Sequence, residues 1–264
     1  MKVSVLIPTC NRITALAATL TALMAQSCRN FSVTVADQGE QEAARHPSIQ
    51  TICRIMQQQG IPVQLLVNLP KKGIAQQRQF LLDHSNGHYS LFLDDDVILE
   101  PDALERMLEM MDQEKCGFTG MALIGLSYAA DKREHEQQIE FWEGHVQPET
   151  VRPGSKQWLR HKLHNAANIL HAGQKIDTPQ KYKVAWLGGC VLYDTARLRE
   201  IGGFGFWQQL PEEHCGEDVM VQLKLMEKYG GFGIIPSGAY HQELPTTLPN
   251  REVNVPEYLM NAEH

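Results

Sequence analysis

In the first third of the chain, short apolar runs typical of strands alternate with segments in which apolar residues recur at helical spacing. Short apolar or alternating runs at residues 3–7, 31–36, 63–67 and 89–93 predict four β-strands. Between them, residues 13–26, about 49–56 and 73–84 repeat apolar side chains at helical spacing and predict three helices. Strands that alternate with helices over short connections predict an α/β fold with a mostly parallel central sheet and helices on both faces.

The pattern is less regular in the rest of the chain. It predicts helices at residues 102–111, 156–171, 195–201 and 216–229, and strands at 118–126, 185–193 and 232–235. Residues 131–150 are charged and aperiodic, and beyond about Pro245 the chain is a polar, proline-containing segment. We therefore predict one domain over residues 1–245 and a tail at 246–264.

Composition narrows the function classes. Hydrophobic residues make up 43% and charged residues 21%, an ordinary globular balance. The net charge of −7 disfavours a nucleic-acid-coating protein but permits binding of one nucleotide. The six cysteines form no C-x-x-C pair, which disfavours a zinc site or disulfide framework and fits a cytoplasmic protein. No run approaches the roughly 20 apolar residues of a spanning helix, so we expect any membrane contact to be peripheral, at the inner face.

Three adjacent carboxylates, Asp94, Asp95 and Asp96, follow the fourth predicted strand. Ligands of such sheets bind at the carboxyl ends of the strands. Like charges this close raise each other's pKa unless a counter-charge neutralises them, and a divalent cation does so well. A solvated acidic turn that opens the next helix is the alternative, and the triplet alone leaves both open.

Two further segments allow a chemical and a structural interpretation. Glu217 and Asp218 lie in the first turn of a predicted helix, where acids commonly stabilise the helix, but where one could also act as a general base. Gly73 opens a helix between Lys72 and Arg78, which suits either a phosphate or a plain turn with a solvated helix face. The structural interpretation is favoured for each segment alone.

Six segments together resemble, in order, the motifs of the family-2 glycosyltransferases of the GT-A fold. They are V-S-V-L-I-P-T-C-N-R, V-A-D-Q-G, K-G-I-A-Q-Q-R, F-L-D-D-D-V, L-G-G-C-V-L-Y-D-T-A-R-L-R-E-I-G-G-F and G-E-D, which begin at residues 3, 35, 72, 92, 187 and 216. The fourth is similar to the family's D-x-D motif and the sixth to its catalytic E-D motif. Departures at Glu40, Gln77, Gln79 and Asp194 bear on donor and acceptor identity.

The resemblance implies a nucleotide-sugar-binding half at residues 1–97 and an acceptor and catalytic half at 98–245. It implies Asp218 as general base and Asp96 as ligand of Mn²⁺ or Mg²⁺. His241, just past the last strand, is expected as a second ligand. The donor-binding residues that it implies are Pro8, Thr9, Asn11, Arg12, Asp37, Gly73, Arg78, Asp94 and Asp95.

The implied function is metal-dependent, inverting transfer of a sugar from a UDP- or dTDP-sugar to a hydroxyl acceptor. The acceptor, whether saccharide, lipid-linked or other, stays open, and surface polysaccharide or glycoconjugate synthesis is the expected setting. A sugar-nucleotide pyrophosphorylase-like enzyme is one alternative, but residues 1–12 lack the glycine-rich basic loop that it needs. A non-catalytic nucleotide-binding scaffold is the other, and retention of Asp96 and Asp218 counts against it.

Overall fold

The structure is a computed structural model that describes residues 2–247 and 251–261. The four strands and three helices predicted for the first third are confirmed. They are β1 (Val3–Thr9), α1 (Ile13–Met24), β2 (Phe31–Asp37), α2 (Pro47–Gln58), β3 (Val63–Val67), α3 (Ile74–Asp83) and β4 (Tyr89–Leu93). Strong apolar periodicity in this part explains the agreement.

The remaining chain contains more and shorter elements than its pattern predicts. They are β5 (Val97–Leu99), α4 (Ala103–Glu114), β6 (Phe118–Gly120), α5 (Asn168–Gly173), β7 (Gln180–Tyr182), β8 (Cys190–Asp194), α6 (Thr195–Glu200), α7 (Glu217–Tyr229), β9 (Gly231–Ile235), β10 (Ala239–His241) and α8 (Val255–Asn261). A 3₁₀ segment, Gln157–His164, precedes α5.

Three predictions about this part are wrong in detail. The strand predicted at 118–126 ends at Gly120, and the helix predicted at 156–171 is divided into the 3₁₀ segment and α5. The strand predicted at 185–193 begins only at Cys190, because Gly189 adopts a φ of +71° that a strand cannot continue. The predicted tail contains α8, whose Val255 is fully buried; residues 248–250 and 262–264 of that prediction lie outside the described residues.

The main sheet has the order β3-β2-β1-β4-β8-β6-β9-β7. Strands β1 to β4 run parallel, whereas β8 runs antiparallel to both β4 and β6. The carboxyl ends of β1, β2 and β4 therefore meet at one edge, and the loop that enters β8 reaches the same edge. Asp94 N donates to Gly189 O at 2.9 Å, which joins that loop to the end of β4.

A separate antiparallel ribbon of β5 and β10 covers this edge. In its register His241 lies opposite Val97, and Gln242 N donates to Asp96 O at 2.8 Å. His241, which is far from Asp96 in the sequence, is thus brought beside the acidic triplet.

Alternate residues of the central strands supply two hydrophobic cores, one on each face of the sheet. Val5, Ile7 and Leu91 belong to one core, and Leu6 and Phe92 to the other. This two-sided burial explains the nearly continuous apolar runs of β1 and β4, and it confirms the predicted α/β class. In the described part of the chain, no helix is long and apolar enough to cross a membrane.

Candidate active site

The acidic triplet at the end of β4 is largely buried. Thr9 Oγ1 donates to Asp95 Oδ2 at 2.6 Å, and Arg12 Nη1 donates to Asp95 Oδ1 at 3.3 Å and to Asp96 Oδ2 at 2.6 Å. Asp95 is 5% exposed and Asp96 is 3% exposed. A solvated acidic turn would leave these carboxylates in water, so that interpretation does not describe Asp95 and Asp96.

The two buried carboxylates have opposite pKa shifts. Burial raises the pKa of Asp95 to about 6, although the Thr9 hydrogen bond and the Arg12 charge oppose the shift. Burial also acts to raise the pKa of Asp96, but hydrogen bonds and charge from His241 and Arg12 outweigh it and lower that pKa. Asp96 is therefore the carboxylate held ionised, as a ligand of a hard cation must be.

His241 completes a pair of oxygen and nitrogen donors with Asp96. Its Nε2 lies 3.3 Å from Asp96 Oδ2. Adjacent ligands of an octahedral ion at about 2.1 Å lie about 3.0 Å apart, so the pair fits two positions around one ion. Among the described residues, no third histidine, cysteine or carboxylate joins this pair to form a cluster of three.

Arg78 is buried and ties the triplet to α7. Its Nε donates to Glu217 Oε1 at 2.7 Å, and its Nη2 donates to Asp94 Oδ1 at 3.1 Å. Burial acts to lower the pKa of Arg78, but the carboxylates of Asp94, Glu217 and Asp218 raise it further above its usual range. The charge of Arg78 is therefore already paired with the carboxylates of Asp94 and Glu217, so Arg78 is not a free cation for a phosphate.

Asp218, beside Glu217 in the first turn of α7, has a different environment. It is half-buried, and its Oδ1 accepts a hydrogen bond from the backbone N of Val219 at 2.8 Å. Burial, followed by the negative charge of Glu217, raises the pKa of Asp218 to about 7, although Arg78 opposes the shift. A carboxylate with this pKa can accept a proton near neutral pH.

Asp37 and Asn11 organise the loop after β2. Asp37 accepts hydrogen bonds from Gly39 N at 2.7 Å and from Ala43 N at 2.6 Å, one on each carboxylate oxygen. Asn11 Oδ1 accepts a hydrogen bond from Glu40 N at 2.8 Å. The backbone of Asn11 has a φ of +56°. Each Asp37 oxygen keeps a second lone pair for another donor.

Gly73 opens α3 through a conformation that favours glycine, with φ +93°. A methyl group there would lie 2.5 Å from both Glu212 O and His214 Cε1. His214 Nε2 accepts a hydrogen bond from Ala75 N at 3.1 Å, which ties the start of α3 to the loop before α7. Gly73 is thus required by packing as well as by its backbone conformation.

A cavity of about 300 Å³ opens at the carboxyl edge of the sheet. Of the residues predicted for the site, it is lined by Pro8, Thr9, Arg12, Arg78, Asp94, Asp95, Asp96 and His241. Asn11, Asp37, Gly73 and Asp218 are not among its lining residues. The structure thus brings eight of the twelve predicted site residues together in one cavity, and the other four do not line it.

The cavity is also lined by polar residues that were not among the predicted site residues. Gln77 Nε2 donates to Thr9 O at 3.1 Å and to Ala36 O at 2.7 Å, so it clamps the ends of β1 and β2. Glu217 lines the cavity as the partner of Arg78. Arg251, beyond the predicted domain end, also lines it, and no local sequence signal distinguishes this arginine.

Comparison with known proteins places these features in a family. The model described as Glycosyl transferase family 2 matches residues 4–172. An uncharacterized glycosyltransferase of Haemophilus influenzae is 29% identical over 110 residues, which cover 42% of this chain and 34% of the relative. The chain thus spans about a third of that relative's length.

Solved structures share the fold at low sequence identity. S. aureus TarS 1–349 in complex with UDP-GlcNAc is 16% identical with a TM-score of 0.58, covering 94% of this chain and 60% of that one. The mannosyltransferase PcManGT from Pyrobaculum calidifontis, in complex with GDP-Man and Mn²⁺, is 16% identical with a TM-score of 0.58, covering 94% and 58%. These likenesses show the GT-A fold. Because the family model matches well over half of its residues, the chain belongs to glycosyl transferase family 2.

Proposed function

We propose that this protein transfers a sugar from a nucleotide-diphosphate donor, preferably a UDP- or dTDP-sugar, to an acceptor hydroxyl with inversion at C1. The observation that carries the proposal is the contrast between Asp96, which lines the cavity, and Asp218, which follows the cavity residue Glu217 in α7. Asp96 is held ionised beside His241, whereas Asp218 has a pKa near 7 and no cationic side chain paired to it in the described hydrogen bonds.

The donor end of the site lies in the cavity at the ends of β1 and β4. Its polar lining includes Thr9, Arg12 and the acidic triplet. Asp96 and His241 would hold Mn²⁺ or Mg²⁺, which when bound neutralises charge on the diphosphate and makes it a better leaving group. PcManGT, of the same fold, was solved in complex with Mn²⁺, which supports a divalent ion here.

The nucleobase end is assigned to Asp37 at the end of β2. Uracil and thymine each carry a ring N–H, and a carboxylate oxygen with a spare lone pair can accept it. The two bonds from Gly39 N and Ala43 N hold the carboxylate in one orientation, so its remaining acceptor directions are fixed before the donor binds. The preference for uridine or thymidine rests on this orientation.

The transfer step assigns the proton to Asp218. As the acceptor oxygen forms its bond to C1, its proton passes to the Asp218 carboxylate. The bond between C1 and the phosphate oxygen breaks, and the nucleoside diphosphate leaves with the bonding electrons. One displacement inverts C1. Glu217 is a poorer base because its Oε1 already accepts from the buried guanidinium of Arg78 at 2.7 Å.

Donor turnover tests the proposal directly. We expect release of UDP or dTDP from UDP-glucose, UDP-GlcNAc or dTDP-glucose in Mn²⁺, and its suppression by EDTA. A pyrophosphorylase-like enzyme would instead release pyrophosphate from a nucleoside triphosphate and a sugar 1-phosphate. Donor binding without any turnover on a broad acceptor panel would favour the scaffold. Either result would overturn the proposal.

A further inference from the structure

The two edges of the main sheet differ in how far they are protected from pairing with another chain. At the β7 edge, a neighbouring segment of the chain covers the strand. Lys183 N donates to Glu140 O at 2.7 Å, and Trp142 N donates to Lys181 O at 3.1 Å. Strand β7 is also three residues long and carries Lys181. A covering segment, a short strand and a lysine are common means of keeping an edge strand from pairing with another chain.

The β3 edge lacks these features. The strand has five residues, and no other segment of the described chain pairs with its outer side. No charged residue occurs from Ile55 to Pro70, in a chain that is 21% charged overall. Val67 is 47% exposed and Leu69, just past the strand, is 58% exposed. An uncharged and partly apolar edge strand of this kind is a template for a second strand.

The register of β3 on β2 determines which of its backbone groups face outward. Val33 lies opposite Val63, and Val33 N donates to Pro62 O at 2.8 Å. At the other end Asn68 N donates to Asp37 O at 2.9 Å. In a parallel pair, a residue of one strand bonds to the two residues that flank its partner on the other. The even-numbered residues of β3 therefore direct their backbone groups to β2.

The odd-numbered residues of β3 direct their N–H and C=O groups away from the sheet. These residues are Val63, Leu65 and Val67. Within the part of the chain that the structure describes, no hydrogen bond is made to any of their six backbone groups. The strand thus presents three donors and three acceptors in a regular row, which an extended strand can satisfy.

This row of groups is complementary to itself. If two β3 strands run antiparallel about a two-fold axis at Leu65, Leu65 lies opposite its own copy and Val63 lies opposite Val67 of the second copy. Each of these pairs has its backbone groups directed at the other strand, so together they exchange six hydrogen bonds. A residue on the axis meets an identical side chain. A charge there would repel its copy, whereas leucine packs against leucine.

We propose that β3 is a dimer interface, and that it pairs antiparallel with β3 of a second copy of this chain to form one continuous sheet. The inference does not depend on the proposed function. Strand β2 separates this edge from β1, and the donor cavity opens at the ends of β1 and β4. Antiparallel pairing directs the cavities of the two copies to opposite ends of the joined sheet, so each stays open to its donor.

Sedimentation equilibrium tests the dimer. Between about 1 µM and about 200 µM protein, the mass of the parent should rise from 29.8 kDa toward twice that value. Val67→Lys places a charge on the edge and should stay at the monomer mass throughout. Leu126→Lys is the matched control, because Leu126 is a 58% exposed leucine outside β3. It should associate as the parent does. A monomeric parent at every concentration, or undiminished association of Val67→Lys, would overturn the proposal.

Disulfide formation tests the register. The proposed pairing places Gln64 opposite Leu66 of the second copy in a non-hydrogen-bonded pair, whose Cα atoms lie about 4.5 Å apart and can be bridged. Two copies of the same position lie diagonally, about 7–8 Å apart, which is too far. A tagged Gln64→Cys variant mixed with untagged Leu66→Cys should therefore form a covalent heterodimer on oxidation.

The parent and each cysteine variant alone are the controls for this experiment. The parent reports any bridge between its six native cysteines, which are all free in the structure. Each variant alone should give no more covalent dimer than the parent. Absence of the heterodimer in the mixture would contradict the antiparallel pairing. Covalent dimers of Gln64→Cys alone, above the parent level, would contradict the register centred on Leu65.

Discussion

The Arg78 guanidinium donates from Nε to Glu217 Oε1 at 2.7 Å, across 139 residues of sequence. Arg78 is 6% exposed and Glu217 is 4% exposed, so the pair is shielded from water. Because Glu217 has this partner, the two neighbouring acids at the start of α7 differ in charge environment. Glu217 connects α7 to α3, whereas Asp218 keeps a raised pKa.

Loss of Arg78 should destabilise the protein strongly. Arg78→Met leaves Glu217 buried without its partner and frees Asp94, and removal of one member of such a pair costs about 3–5 kcal/mol. Arg152→Met is the matched control, because its pair with Glu227 is largely exposed and worth about 1 kcal/mol or less. The free energy of unfolding in urea measures both. Equal losses in the two variants would contradict the buried-network account.

The sequence predicted the first half of the fold better than the second. Strands buried on both faces and helices with one apolar face leave clear periodicity, as in β1 and α1. The elements after residue 97 are short and held by distant contacts. The strand at β6 has only three residues, and Gly120 at its end packs against Cys190 O, where a methyl group would lie 2.5 Å away.

The sequence indicated which acidic residues are candidates for the site, but not which acid pairs with which cation. The triplet Asp94 to Asp96 and the acids at 217–218 can be recognised in the sequence, because the hydrophobic pattern marks the end of β4 and the start of α7. Which acid is neutralised, and by which cation, depends on the approach of α3 to α7, and no local pattern encodes that contact. Arg251 enters the cavity from a segment that composition describes only as a polar tail.

Nucleotide selectivity tests the assignment of Asp37. The parent should bind UDP or dTDP about tenfold or more tightly than ADP, a difference of about 1.4 kcal/mol or more. Asp37→Asn keeps the shape but weakens acceptance from the base and from Gly39 N, so this preference should shrink. Isothermal titration calorimetry measures each affinity. Equal affinities of the parent for all three nucleotides would move the base pocket elsewhere.

Metal dependence tests Asp96. Asp96→Ala should abolish the increase in UDP affinity that Mn²⁺ produces, while the circular dichroism spectrum and the cooperativity of unfolding stay those of the parent. Asp102→Ala is the control, since Asp102 is an acid whose side chain is 57% exposed at the start of α4. Mn²⁺ should strengthen UDP binding to that variant as in the parent. An undiminished Mn²⁺ effect in Asp96→Ala would contradict the assignment.

The pH profile tests the raised pKa of Asp218, which is about 7. A base acts in its deprotonated form, so at saturating donor the transfer rate should rise about tenfold per pH unit below pH 7 and level off above it. The pH is varied in buffers that do not bind Mn²⁺, with donor saturation checked at each point. A rate that is constant from pH 5 to pH 8 would contradict Asp218 as the base.

The most direct measurement of the central claim compares Asp218→Asn with the parent in transfer rate and in donor affinity. Asparagine keeps the shape and helix-capping ability but cannot take the acceptor's proton, so transfer should fall roughly 10²–10⁴-fold. Donor affinity should stay within about threefold, well under 1.4 kcal/mol. Glu217→Gln provides the comparison, since its loss should appear chiefly in stability. A parental transfer rate in Asp218→Asn would contradict the account.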